Sequence, residues 1–109
     1  MRIDFNQMEE SAIANFYGGE KDTVVQKFED EKNCILLGKL EPGASVGMHR
    51  HDDESEVIYV LRGRGRMLFG DGEETLDTGD CHYCPKGHSH SLINNGSEDL
   101  VFFAVLPKQ

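Results

Sequence analysis

From residue 41 onward the chain meets a turn signal about every ten residues, a rhythm that leaves room for short strands and for little else. The signals are Pro42-Gly43, Gly63 with Gly65, Gly70-Asp71-Gly72, Thr78-Gly79-Asp80 and Asn95-Gly96. Between them lie runs rich in β-branched and aromatic residues, such as Val57-Ile58-Tyr59-Val60-Leu61 and Leu100-Val101-Phe102-Phe103-Ala104-Val105-Leu106. Thr23–Phe28 and Cys34–Leu40 read as strands ahead of the first of these turns, and Pro42-Gly43 suits positions i+1 and i+2 of a type II turn. Short strands at this spacing predict an all-β sandwich or barrel. No helix of ordinary length fits after residue 20. The run Arg62-Gly63-Arg64-Gly65-Arg66 is therefore a turn and not a phosphate loop, which needs a helix behind it. Earlier, Met8–Ala14 is long enough for a helical turn or two, stopped by Phe16-Tyr17-Gly18-Gly19.

At 109 residues the chain builds one domain around one core. Eleven basic residues against twenty acidic ones give a net charge of −9. Phosphate binding needs clustered Lys and Arg, so neither nucleic acid nor an anionic membrane surface is an expected partner. The N-terminus lacks the apolar run of a signal peptide, and no stretch approaches the roughly 18 apolar residues of a membrane span, which predicts a cytoplasmic protein. Three cysteines, an odd number, read as reduced thiols and not as a disulfide framework.

Chemistry concentrates in His49-Arg50-His51-Asp52-Asp53-Glu54-Ser55-Glu56. Side chains two apart on a strand share a face, so His49 and His51 both look inward while Met48 and Arg50 look out. Glu56 opens the next apolar run and reaches back to the same space. His90, delivered by the Pro85-Lys86-Gly87 turn to the start of another apolar stretch, completes a set of three imidazoles and one carboxylate. Such donors suit Zn, Fe, Ni, Cu or Mn at roughly 2.0–2.2 Å.

Other polar residues read more plainly. Asp52, Asp53 and Glu54 form a solvated loop, because a cavity that already holds one carboxylate gains repulsion from more. His82 and His88 face solvent, with an acid–base role near the metal as the alternative. In Cys81-His82-Tyr83-Cys84 the strand puts the two thiols on opposite faces, which makes them structural; a cavity-lining thiol is the minority view. Arg62, Arg64 and Arg66 belong to the surface, since Met67 and Phe69 mark the core face. Met67, Phe69, Tyr59, Ile58, Val60, Phe102 and Phe103 read as core or cavity wall.

Gly43, His49, His51, Glu56 and Gly63, with five, one, four and six residues between them, reproduce the first motif of the cupins. Gly79, Pro85, Gly87, His90 and Asn94, with five, one, two and three between, reproduce the second. The chain thus resembles a small single-domain RmlC-like cupin. The resemblance implies a double-stranded β-helix, the jelly-roll cupin barrel, holding one divalent transition metal (Fe, Mn, Ni or Zn) through His49, His51, Glu56 and His90. It also implies a homodimer in which residues 1–28 exchange or add strands, leaving residues 29–109 as the barrel. Three functions are compatible with it. The first is a metal-dependent protein acting on a small polar molecule, with dioxygenase-like oxidoreductase chemistry preferred on family frequency. The second is a non-catalytic binding or sensor module, and the third a metal-independent sugar isomerase or epimerase, against which the full ligand set speaks.

Overall fold

The computed structural model describes all 109 residues. Its strands are β1 (Ser11–Ala14), β2 (Asp22–Glu29), β3 (Asn33–Leu40), β4 (His49–Arg50), β5 (Glu56–Arg62), β6 (Gly65–Phe69), β7 (Gly72–Leu76), β8 (Cys81–Cys84), β9 (Ser89–Ile93) and β10 (Leu100–Pro107), with single 3₁₀ turns at Phe5–Gln7 and Phe16–Gly18. One sheet runs β1-β2-β3-β10-β5-β8 and the other β4-β9-β6-β7. Every pairing is antiparallel. From β3 to β10 the chain crosses from one sheet to the other at each connection except the β6–β7 hairpin, which is jelly-roll winding. No helix is long and apolar enough to cross a membrane.

Period-2 burial explains the core. Leu100, Phe102, Ala104 and Leu106 of β10 point in, as do Glu56, Ile58 and Val60 of β5. Met67 and Leu92 answer from the facing sheet. The same alternation corrects two expected core residues. Tyr59 stands between Ile58 and Val60 and is 43% exposed. Phe103 stands beside inward Phe102 and packs on the outer face, edge-on to Phe5 with ring centroids 6.4 Å apart. A run of consecutive apolar residues does not say which are inside; parity does.

The turns follow their sequence signals. Ala44 N–H donates to Glu41 C=O at 2.9 Å across Pro42-Gly43, and Gly43 takes φ +88°, the type II arrangement. The N-terminal expectation fails instead. Met8–Ala14 contains no helix; Ser11–Ala14 is β1, paired with β2 from Ser11↔Val25 to Ala14↔Asp22. A helix of one or two turns cannot repay its own nucleation, whereas the exposed edge of β2 offers a ready ladder.

Gly38 sits mid-strand in β3 opposite Phe102, whose ring lies over it. A Cβ there would stand 2.3 Å from the ring tip. Phe102 is itself buried, so admitting a methyl forces its ring out of its packed position toward the cavity it lines. Gly38→Ala is therefore expected to lower stability by about 1–3 kcal/mol, as overpacking does. Urea unfolding followed by far-UV dichroism reads this directly; an unchanged midpoint would show that the ring moves freely.

Candidate metal centre

Glu56 opens β5 with its side chain inward, and His90 enters from β9, where it pairs with His49 of β4. His51 lies just beyond β4 and is fixed by backbone bonds instead. Its N–H donates to His88 C=O at 3.1 Å, and its own C=O accepts from Gly87 N–H at 2.6 Å. The metal-binding atoms of His49, His51, Glu56 and His90 all fall within 4.8 Å of one another. The cluster can hold a metal ion.

Each imidazole is turned so that one nitrogen faces outward and the other is left for the cluster. His49 Nδ1 donates to Gly47 C=O at 2.8 Å, His51 Nδ1 to Glu54 Oε1 at 3.1 Å, and His90 Nδ1 lies 3.1 Å from His82 Nε2. Inside, His51 Nε2 and His90 Nε2 lie 3.1 and 2.9 Å from Glu56 Oε1 and 2.9 Å from each other. Donors at ~2.1 Å from one metal and at right angles to each other would be about 3.0 Å apart, so the spacing fits a cation of the expected kind. Outward hydrogen bonds from Nδ1 are also what orient metal-binding histidines in general.

The electrostatics of the cluster follow from this geometry. Burial pushes the Glu56 carboxyl upward, but hydrogen bonds from His51 and His90 and their charge outweigh it and hold the group at about 2. Its bond to Glu56 raises His51 against its own burial, while burial lowers His49, which stays a neutral donor. Burial, then the nearby Glu54 and Glu56 carboxylates, raises the Tyr17 hydroxyl.

Several residues lie elsewhere than the sequence suggests. His82 is not solvent-facing: it is 3% exposed and its ring stacks on His90 at 5.2 Å. Its parity is set by pairing with β5, Ile58↔His82 and Glu56↔Cys84, which the intervening turn hides from the sequence. Glu54 is more than loop surface, since it carries the bond to His51 Nδ1. Asp52, Asp53 and His88 are exposed as expected, and Cys81 is exposed while Cys84 is buried, on opposite faces. All three cysteines are free thiols.

Tyr17 is the contribution that sequence reasoning missed. Its ring lies flat on His49, centroids 4.2 Å apart at 8°. The segment that carries it is strapped to the loop before β4: Gly47 N–H donates to Phe16 C=O at 2.9 Å and Ser45 N–H to Glu20 C=O at 3.0 Å. A Cβ on Gly47 would stand 2.0 Å from Tyr17 C=O, so only glycine permits this approach. Tyr17 adopts φ +53°, a left-handed conformation that bulky residues avoid. Phe16-Tyr17-Gly18-Gly19 reads from the sequence only as a break, because the contacts that bring Tyr17 to the cluster join it to residues 45–47. A cavity of about 240 Å³ opens beside the cluster, walled by Tyr17 and by apolar residues including Val25, Leu36, Ile58, Phe102 and Leu106.

Comparison with known proteins places this architecture. The cupin domain model matches residues 36–106, and the chain belongs to the cupin family. It is 30% identical over 112 residues to the oxalate-binding protein of Thermotoga maritima, covering 97% of this chain and 93% of that protein. It is 34% identical over 74 residues to the oxalate decarboxylase OxdC of Bacillus subtilis, of which it spans only 19%. Among solved structures it superposes on one described as a predicted oxalate decarboxylase from Thermotoga maritima, with a TM-score of 0.94, 30% identity and full coverage of both chains. A sugar phosphate isomerase of the cupin superfamily from Silicibacter pomeroyi shares the fold, with a TM-score of 0.83 at 21% identity, covering 100% of this chain and 76% of that one.

Glu56→Gln and His90→Ala test the cluster. Both are expected to weaken metal retention by more than the roughly 10–100-fold that loss of an outer hydrogen-bond partner costs. Elemental analysis after dialysis against a graded chelator gives the measurement, with dichroism to show that the barrel stays folded. Full metal content in either variant would remove that residue from the set.

Proposed function

We propose that this cupin holds one divalent transition metal (Fe, Mn, Ni or Zn) on His49, His51, Glu56 and His90 and presents it to a small carboxylate-bearing molecule. The observation that carries this is the three outward Nδ1 bonds, which leave three Nε2 atoms to the cluster, those of His51 and His90 at 3.1 and 2.9 Å from the buried Glu56 carboxylate. When bound, the metal supplies a Lewis acid with positions open to a ligand beyond the four protein donors. The chain's part is to fix those donors, roof them with Tyr17 and wall off water with the apolar side of the cavity.

Charge and size narrow the ligand. Glu29, Glu54 and Glu56 line the cavity, and Lys27 is the one lysine or arginine that does. An anion enters such a site only if the metal's charge offsets those carboxylates. The volume, about 240 Å³, lies below the roughly 300–1,000 Å³ of pockets for drug-sized ligands, so the ligand is small. A short dicarboxylate such as oxalate, for which the Thermotoga relative is named, meets both conditions and chelates a metal through two oxygens. Dioxygenase-like oxidoreductase chemistry, which the resemblance favours on family frequency, is the second reading. The complete donor set disfavours the metal-independent sugar isomerase.

Residues 1–28 take the role of a dimer arm in this reading. β1 ends the larger sheet with a free edge onto which a second copy can add a strand. Tyr59, Leu61 and Tyr83 expose apolar surface on the outer face of that sheet. Light scattering is expected to give twice the chain mass of 12.2 kDa; a monomer at all concentrations would end the dimer proposal.

The functional test is calorimetric titration of oxalate into protein loaded with Mn, Fe, Ni or Zn, alongside protein stripped by chelator. About one metal per chain and oxalate heat only in the loaded protein are the expected results. No uptake of any of these metals would overturn the metal reading. Oxalate binding to stripped protein would overturn the metal's role in it.

A further inference from the structure

Behind His90, on the side away from the cavity, a second polar chain runs to the surface. His90 Nδ1 lies 3.1 Å from His82 Nε2, and His82 Nδ1 lies 2.7 Å from Glu74 Oε1. The three residues come from β9, β8 and β7, so His82 of the larger sheet bridges two strands of the smaller one. Both histidine side chains are 2% exposed, whereas Glu74 is 49% exposed. Phe69 packs its ring on His82 at 83°, centroids 5.2 Å apart, which pins the ring plane.

Proton counting gives this chain a direction. A neutral imidazole carries one N–H, on Nδ1 or on Nε2. To turn an Nε2 lone pair toward a metal, His90 must keep its proton on Nδ1. The atom facing that proton is His82 Nε2, which accepts only if His82 also keeps its proton on Nδ1. That second proton meets Glu74 Oε1, and an ionised carboxylate accepts without donating. With the opposite polarity, His82 would donate to His90 Nδ1, and the His90 N–H would point at the metal.

We propose that Glu74 and His82 are positioning residues, a surface carboxylate and a buried imidazole that together fix the tautomer in which His90 offers Nε2 to the metal. The inference rests on the metal-binding reading above. It assigns a function to a buried histidine and an exposed glutamate that lie outside the four-residue cluster. Packing alone does not explain them, since an apolar side chain would fill the place of His82 without needing a carboxylate on the facing sheet.

Two measurements on the full chain test this. The first is a long-range ¹H–¹⁵N imidazole spectrum of the Zn-loaded protein, in which His82 and His90 are both expected as Nδ1–H tautomers. The second is a Zn competition titration against a chelator. Glu74→Ala is expected to lower Zn affinity about 10–100-fold. Glu74→Gln should restore most of it, because its amide oxygen still accepts. The metal-free Glu74→Ala protein should melt like the wild type, which separates positioning from a merely structural role. An Nε2–H tautomer for His82 in the loaded wild type, or wild-type Zn affinity in Glu74→Ala, overturns the proposal while leaving the metal centre intact. Cys84 Sγ also lies within 4.8 Å of the ligating atoms of His82 and His90. Two Zn per wild-type chain and one in Cys84→Ala would make the trio a second metal site and overturn the proposal. A wild type that takes up no Zn, Mn, Fe or Ni ends the metal reading and this inference with it.

Discussion

A carboxylate in the barrel interior is the constraint around which the site is arranged. Glu56 is 7% exposed, and an uncompensated charge there would be costly. Two imidazoles at 2.9 and 3.1 Å supply the compensation and hold it ionised. Those rings cannot drift, because each is tied from behind: His51 to Glu54, His90 to His82, and the third ring, His49, to the backbone at Gly47. The metal-binding geometry is thus present in the protein's own hydrogen bonding, and a cation would replace the mutual contacts of the Nε2 atoms and the carboxylate without reorienting a ring.

Both sheets are needed for that arrangement. Glu56 comes from the larger sheet, His49 and His90 from the smaller. The Pro85–Gly87 turn stitches His51 to the strand that bears His90. Asn94 completes the frame: its side-chain amide donates to Leu40 C=O at 2.7 Å and Glu98 C=O at 2.9 Å, and its oxygen accepts from Gly96 N–H. The last residue of the second motif is therefore a structural clasp between the end of β3 and the turn before β10.

Most of this was legible in the residues. Strand spacing gave the all-β class, and two motifs with strict spacing pointed to His49, His51, Glu56 and His90, the four that converge, although His51 is placed by backbone bonds to Gly87 and His88 and not by alternation along a strand. What escaped depended on pairing between distant segments. His82 faces inward because β8 lies against β5, and Tyr59 faces outward because Glu56 fixes the parity of β5 inward. Met8–Ala14 carried a helical composition, yet the edge of β2 drew Ser11–Ala14 into a strand. Tyr17 reaches the centre through backbone contacts between residues 16–20 and 45–47, and no local pattern in either stretch announces them.

The strap bearing Tyr17 lies outside residues 36–106, the part that matches the cupin domain. The donors and their roof are thus written on separate stretches of chain. A shortened polypeptide beginning at residue 29 would keep all four donor residues and lose Tyr17, Val25 and Lys27 from the cavity wall. On the reading proposed above, the donors and the roof over them are therefore separable, and altering residues 15–20 changes the roof while leaving the four donor residues in place.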